Sequence, residues 1–133
     1  MAQATTAADA ARGASAGLAL PGEVLHFAYG SNMHPRQILA RCRRPRAVAV
    51  ARLTGHRLAF FGHADRLGGA LETVVPAAGD AVWGVVYALA PTDAASLDAW
   101  QDARFDGNGA YFHYPVRVVA AAGPELDVLL YKK

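Results

Sequence analysis

The segment Tyr29-Gly30-Ser31-Asn32 leaves an apolar run and enters a helix start, and its residue types suit an anion. Glycine lets a ligand approach the backbone closely. Free N–H groups at a helix start favour negative charge, and the Ser31 and Asn32 side chains add donors. A small anion such as an α-carboxylate fits that pattern. The same four residues also form an ordinary capped turn, so spacing alone leaves both readings open. Glu72 is a second candidate, because it interrupts the apolar stretch Leu71-Glu72-Thr73-Val74-Val75. A buried, unpaired charge is costly and hence suggestive of function, whereas strand alternation also allows Glu72 to face solvent. Tyr111 and His113 lie two apart in a strand-like run and share one face. The five histidines show no paired ligand spacing, so no metal site is expected. Ser31 has no adjacent base and orienter to make it a nucleophile.

These residues need a domain to hold them. The chain has 133 residues, which points to one domain. Residues 1–22 are rich in Ala, Gly, Ser and Thr, bury little surface, and read as a disordered low-complexity tail. Residues 23–133 then form the domain, large enough for one core. No secretory signal or membrane span is visible, and a single cysteine, Cys42, excludes an internal disulfide framework. The expected address is cytoplasmic. Cys42 sits among arginines that could depress a thiol pKa, but reads as an ordinary cysteine at a helix end. Net charge is only +2, and the basic run Arg41 to Arg46 lacks interleaved aromatics, so nucleic acid is not an expected partner. That run reads as a solvated helix C-terminus.

Periodicity and punctuation predict the elements. Val24 to Tyr29 is a strand ending at glycine. Met33-His34-Pro35 opens a helix with Ile38 and Leu39 toward the core. Ala47 to Ala51 and Arg57 to Phe61 read as two strands around Thr54-Gly55, and Leu71 to Val75 as another stopped by Pro76. Ala78-Gly79-Asp80 is a turn. Val82 to Leu89 is a central strand buried on both faces, in which Gly84 marks a bulge or the close approach of a ligand. Pro91, Thr92 and Asp93 start a second helix, with Leu97 and Trp100 on one face. Asp98 is expected to cap or pair locally. Residues 102–109 read as a loop, and Tyr111 to Ala120 with Leu126 to Tyr131 as a hairpin around Gly123-Pro124. Trp83, Trp100, Tyr87 and Phe60 are expected in the core. Many strands with two helices give an α+β fold built on a curved or closed mixed sheet.

Phe27-Ala28-Tyr29-Gly30-Ser31-Asn32-Met33 resembles the substrate loop of the γ-glutamyl cyclotransferase-like family. More of that pattern follows in order: Ala51-Arg52-Leu53 with His56-Arg57-Leu58, then Gly69-Ala70-Leu71-Glu72-Thr73-Val74. Gly79-Asp80-Ala81-Val82-Trp83-Gly84-Val85-Val86-Tyr87 is a close match, and Leu97-Asp98 and Gly109-Ala110-Tyr111 complete it. The resemblance covers about residues 24 to 131 and implies a small mixed β-barrel with flanking helices, of the butirosin-type cyclotransferase fold. It implies release of 5-oxoproline from a small γ-glutamyl amine or peptide, with no metal and no organic cofactor. Tyr29, Gly30, Ser31 and Asn32 would hold the γ-glutamyl moiety, and Tyr111 would line the pocket. The general base would stand at the position of Gln101.

That position is where the chain departs from the family, which carries Glu there. A carboxylate takes a proton from an ammonium; an amide does not. Loss of a general base removes roughly two to four decades of rate. Gln101 is therefore an introduced substitution, a natural loss leaving a binder of γ-glutamyl or amino-acid-like ligands, or a position relieved by another carboxylate. Glu72 is the better such substitute, because the adjacent Asp102 is shorter and aimed elsewhere. A third class is a protein-interaction module using Arg41 to Arg46.

Overall fold

In the computed structural model, residues 19–33, 35–64, 69–101, 103 and 111–132 are described. Five strands close into a barrel: β1 (Val24–Ala28), β2 (Arg46–Ala64), β3 (Gly69–Leu89), β4 (Phe112–Ala120) and β5 (Glu125–Lys132), in spatial order β1-β3-β2-β4-β5. β5 returns to β1 in parallel through His26 and Leu129; the remaining pairs are antiparallel. The helices are α1 (Pro35–Arg41) and α2 (Pro91–Gln101), and a 3-10 turn at Gly30–Met33 links β1 to α1.

Period-two alternation sorts the side chains. Leu25, Phe27 and Tyr29 join Val86, Ala88, Val118 and Leu126 in the barrel core. Ala28, Tyr87 and Leu89 point outward and pack with Ile38, Cys42 and Leu97 beneath the helices. Gly84 has the inward parity, and a Cβ there would lie 2.4 Å from the Ala28 carbonyl oxygen and 2.7 Å from Phe27 Cζ. The close approach at Gly84 is therefore to the protein's own β1, not to a ligand.

Several sequence expectations change. The two strands expected before residue 62 are one strand, β2, and the two expected between 71 and 89 are one strand, β3. Thr54-Gly55 and Pro76 to Asp80 do not end strands; they shift register, since Thr54 pairs Ala81 while His56 pairs Pro76. Gly55 and Gly79 adopt φ of 71° and 84° there, and Pro76 is tolerated beside the irregularity. Leu39 is 59% exposed, because only Ile38 of that pair faces the barrel. Trp83, Phe60 and Trp100 are exposed; Trp83 projects outward between buried Val82 and Gly84, so β3 is not buried on both faces throughout. Tyr87 is core, as expected.

The tail reading also shifts at its end. Ala19 packs against the barrel core, the Leu20 amide donates to Glu23 Oε1 at 2.7 Å, and Arg46 pairs with Glu23 at 2.6 Å. Residues 1–18, His34, Asp102, the segment 104–110 and the side chain of His63 lie outside the described residues.

Candidate active site

The turn after β1 is fixed from both ends. The Tyr29 hydroxyl donates to the Tyr131 carbonyl oxygen, and the Tyr87 hydroxyl donates to the Met33 carbonyl oxygen at 3.3 Å. Gly30 has φ of +60°, a left-handed conformation that a side chain disfavours. A Cβ at Gly30 would lie 1.7 Å from Glu72 Oε2 and 2.6 Å from its Cδ. The Glu72 carboxylate thus occupies the space that a side chain at position 30 would need. Of Ser31 and Asn32, the backbone of the turn is described and the side chains are not.

Contact between Glu72 and Gly30 requires β3 to bend. The β1–β3 ladder ends at Ala28 opposite Val85, thirteen positions from Glu72. A straight strand of that length would separate them by roughly 40 Å. The register shift between residues 76 and 81 lets the distal ribbon fold back over the turn. Glu72 is half-buried, with Thr73 and Val74 fully buried beside it.

Tyr111 joins this cluster. Its hydroxyl donates to the Glu72 carbonyl oxygen at 2.7 Å. Burial, then the Glu72 charge, pushes the Tyr111 phenol up to about 12. Burial chiefly, with Tyr111 and Glu72 adding to it, also raises the Tyr29 phenol. Both phenols are therefore protonated donors at neutral pH, close enough to Glu72 to sense its charge. Ala103 bridges Tyr111, and the Ala103 amide donates to the Asp98 carbonyl oxygen at 3.0 Å. The end of α2, where Gln101 is half-buried, is thereby drawn beside Tyr111.

Asp98 corrects the expectation of a local cap. Its Oδ1 accepts from the Tyr131 hydroxyl at 2.5 Å and lies 3.0 Å from His113 Nε2. Asp98 thus ties α2 to β4 and β5, a positioning role for the helix that bears Gln101. His113 shares a face with Tyr111 as expected, but is directed at Asp98 and packs on Tyr131 at 5.5 Å. Sequence spacing does not mark Tyr131 and Asp98 as partners, since their meeting depends on a contact 33 positions long.

The basic run is partly absorbed by the fold. Buried Asp93 accepts from the Arg43 and Arg44 amides, each at 2.8 Å, and Arg41 lies 4.4 Å over the Trp100 ring. Cys42 is buried, and burial pushes its thiol up to about 11, against any reactive role. Among the described residues, no group of three or more His, Cys, Asp or Glu is placed to hold a metal, and no helix is long and apolar enough to cross a membrane.

Comparison with known proteins points the same way. The family model "Gamma-glutamyl cyclotransferase, AIG2-like" matches residues 26–133. The chain is 33% identical to a mouse gamma-glutamylcyclotransferase over 113 residues, covering 80% of this chain and 57% of that protein. It is 31% identical to the human gamma-glutamylcyclotransferase over 111 residues, with the same coverages. The chain therefore spans little more than half the length of these relatives. A solved gamma-glutamyl cyclotransferase superposes with a TM-score of 0.75 at 31% identity, covering 83% of this chain and 66% of that one. A solution structure from Arabidopsis thaliana, At5g39720.1, shares the fold with a TM-score of 0.65 at 23% identity. With its closed five-strand barrel, two flanking helices and ordered motifs, the chain belongs to the AIG2-like γ-glutamyl cyclotransferase family.

Proposed function

We propose that the chain releases 5-oxoproline from a γ-glutamyl amine or peptide, by attack of the substrate's α-amine on its own γ-carbonyl. The observation that carries this reading is a continuous chain of contacts from Gly30 to Glu72, from Glu72 to Tyr111, and from Tyr111 to Ala103 at the end of α2. It unites the turn, the tyrosine and the Gln101-bearing segment that family membership would place around one substrate.

The chemistry follows from these groups. The Tyr29 to Asn32 turn binds the glutamyl moiety through its backbone, and the left-handed Gly30 lets the Glu72 carboxylate come up against that backbone beside the bound moiety. Holding the substrate folded gives the amine a high effective concentration at the carbonyl. During turnover the single Tyr111 proton turns from the Glu72 carbonyl oxygen to the oxyanion that develops there. The nucleophile is internal, so no covalent enzyme intermediate forms.

The test is incubation of the chain with a panel of γ-glutamyl amines and peptides, with 5-oxoproline and free amine measured together. Release from at least one compound is expected. Gln101 favours a second reading, a binder without turnover; ligand protection against unfolding with no release from any protecting compound would establish it instead.

A further inference from the structure

We propose that Glu72, not residue 101, is the general base of this chain. The assignment rests on the cyclotransferase reading and deepens it. Gln101 has no lone pair basic enough to take a proton from an ammonium, so a turning-over site must draw a carboxylate from elsewhere. Glu72 presents one against the glycine of the turn, with Oε2 1.7 Å from where a Gly30 Cβ would stand.

Among the other described carboxylates, Asp80 is exposed at the register shift of β3, and the rest are tied into other parts of the fold. Asp98 Oδ1 is engaged by the Tyr131 hydroxyl and His113, and both Asp93 oxygens accept backbone amides after α1. Glu23 is paired with Arg46, and Glu125 and Asp127 flank Arg117 on the β4–β5 hairpin. Among the described residues, Glu72 is the acidic residue that meets both places, its carboxylate against the Gly30 backbone and its main-chain carbonyl at the Tyr111 hydroxyl.

The reaction balances with this single group. Glu72 takes one proton from the α-ammonium, and the freed lone pair forms the new C–N bond to the γ-carbon. The carbonyl π pair moves to oxygen and returns as the old C–N bond breaks, its electron pair leaving on the amine. Attack leaves a second excess proton on the ring nitrogen. Both protons pass by way of Glu72 to the leaving nitrogen, so the products are a neutral lactam and an ammonium, with no water or co-reactant consumed.

The experiment compares wild type, Glu72→Gln, Gln101→Glu and the double variant, reading kcat and KM for 5-oxoproline release from a γ-glutamyl amine that wild type turns over or binds. Glu72→Gln is expected to lower kcat at least about a hundredfold with KM within a few-fold. Gln101→Glu should restore at least about tenfold in the Glu72→Gln background. Thermal protection of Glu72→Gln by the same compound verifies folding and binding. Should that variant not fold, Glu72→Asp replaces it and should keep a reduced, pH-dependent activity. Release that Glu72→Gln leaves intact overturns the assignment alone, as does a silent wild type made active by Gln101→Glu. Silence of all four chains overturns the cyclotransferase reading and the assignment with it.

Discussion

Gly30 and Glu72 interlock: the left-handed backbone at residue 30 and the carboxylate from β3 occupy space that a single methyl group would deny to one of them. Gly30→Ala therefore carries both backbone strain and a steric conflict. A loss of roughly 1–3 kcal/mol in urea unfolding is expected, together with lost γ-glutamyl turnover. In a Glu72→Ala background the steric part disappears and about 1 kcal/mol of strain remains. Equal losses in both backgrounds would show that the carboxylate does not sit against residue 30.

Tyr111→Phe removes the hydroxyl that donates to the Glu72 carbonyl oxygen while keeping the ring that packs 6.4 Å from Tyr131. The stability loss should be about 1 kcal/mol. The rate of 5-oxoproline release should fall by about tenfold or more, as the oxyanion loses a donor. A rate unchanged beside a measurable stability loss would confine Tyr111 to support.

His26 makes stability depend on pH. Burial, then the neighbouring His113, pushes its imidazole down to about 3, from about 6.5 in the unfolded chain. The unfolded state therefore binds more protons between pH 6.5 and 3, and stability from this group falls as pH drops through that window, by up to about 1.4 kcal/mol per unit. The ring packs 4.9 Å from Tyr131, and Asp98 and His113 also face that tyrosine. Melting temperature measured from pH 7 to pH 4 should decline, and His26→Gln should flatten the decline. An identical slope in the variant would show that His26 does not set it.

Cys42 is expected to be inert. Its thiol is buried and held protonated up to about pH 11. A disulfide reagent at pH 8 should label it at least about a hundredfold more slowly in the native chain than in denaturant. Comparable rates would show that the α1–α2 seam opens readily.

The order of elements was legible because alternation and punctuation are local signals. Val24 to Ala28, α2 and the final hairpin appear nearly where the pattern puts them. Strand continuity was not legible: Thr54-Gly55 and Pro76 to Asp80 carry turn residues, and only the cross-strand register makes them shifts within β2 and β3. The exposure of Trp83 and Phe60 was hidden for the same reason, since a face is defined only once a partner is known. The turn at Tyr29 and the departure at Gln101 could be read from residue types. The meeting of Glu72 with Gly30, and of Asp98 with Tyr131, depends on how β3 bends and where the barrel closes, which no single window of sequence contains.

The most direct measurement is the product balance from a γ-glutamyl compound that protects the chain against thermal unfolding. Intramolecular attack predicts 5-oxoproline and free amine in equal amounts, with no glutamate. Glutamate in place of 5-oxoproline would mean that water attacks, and amine release without a cyclic product would contradict the account.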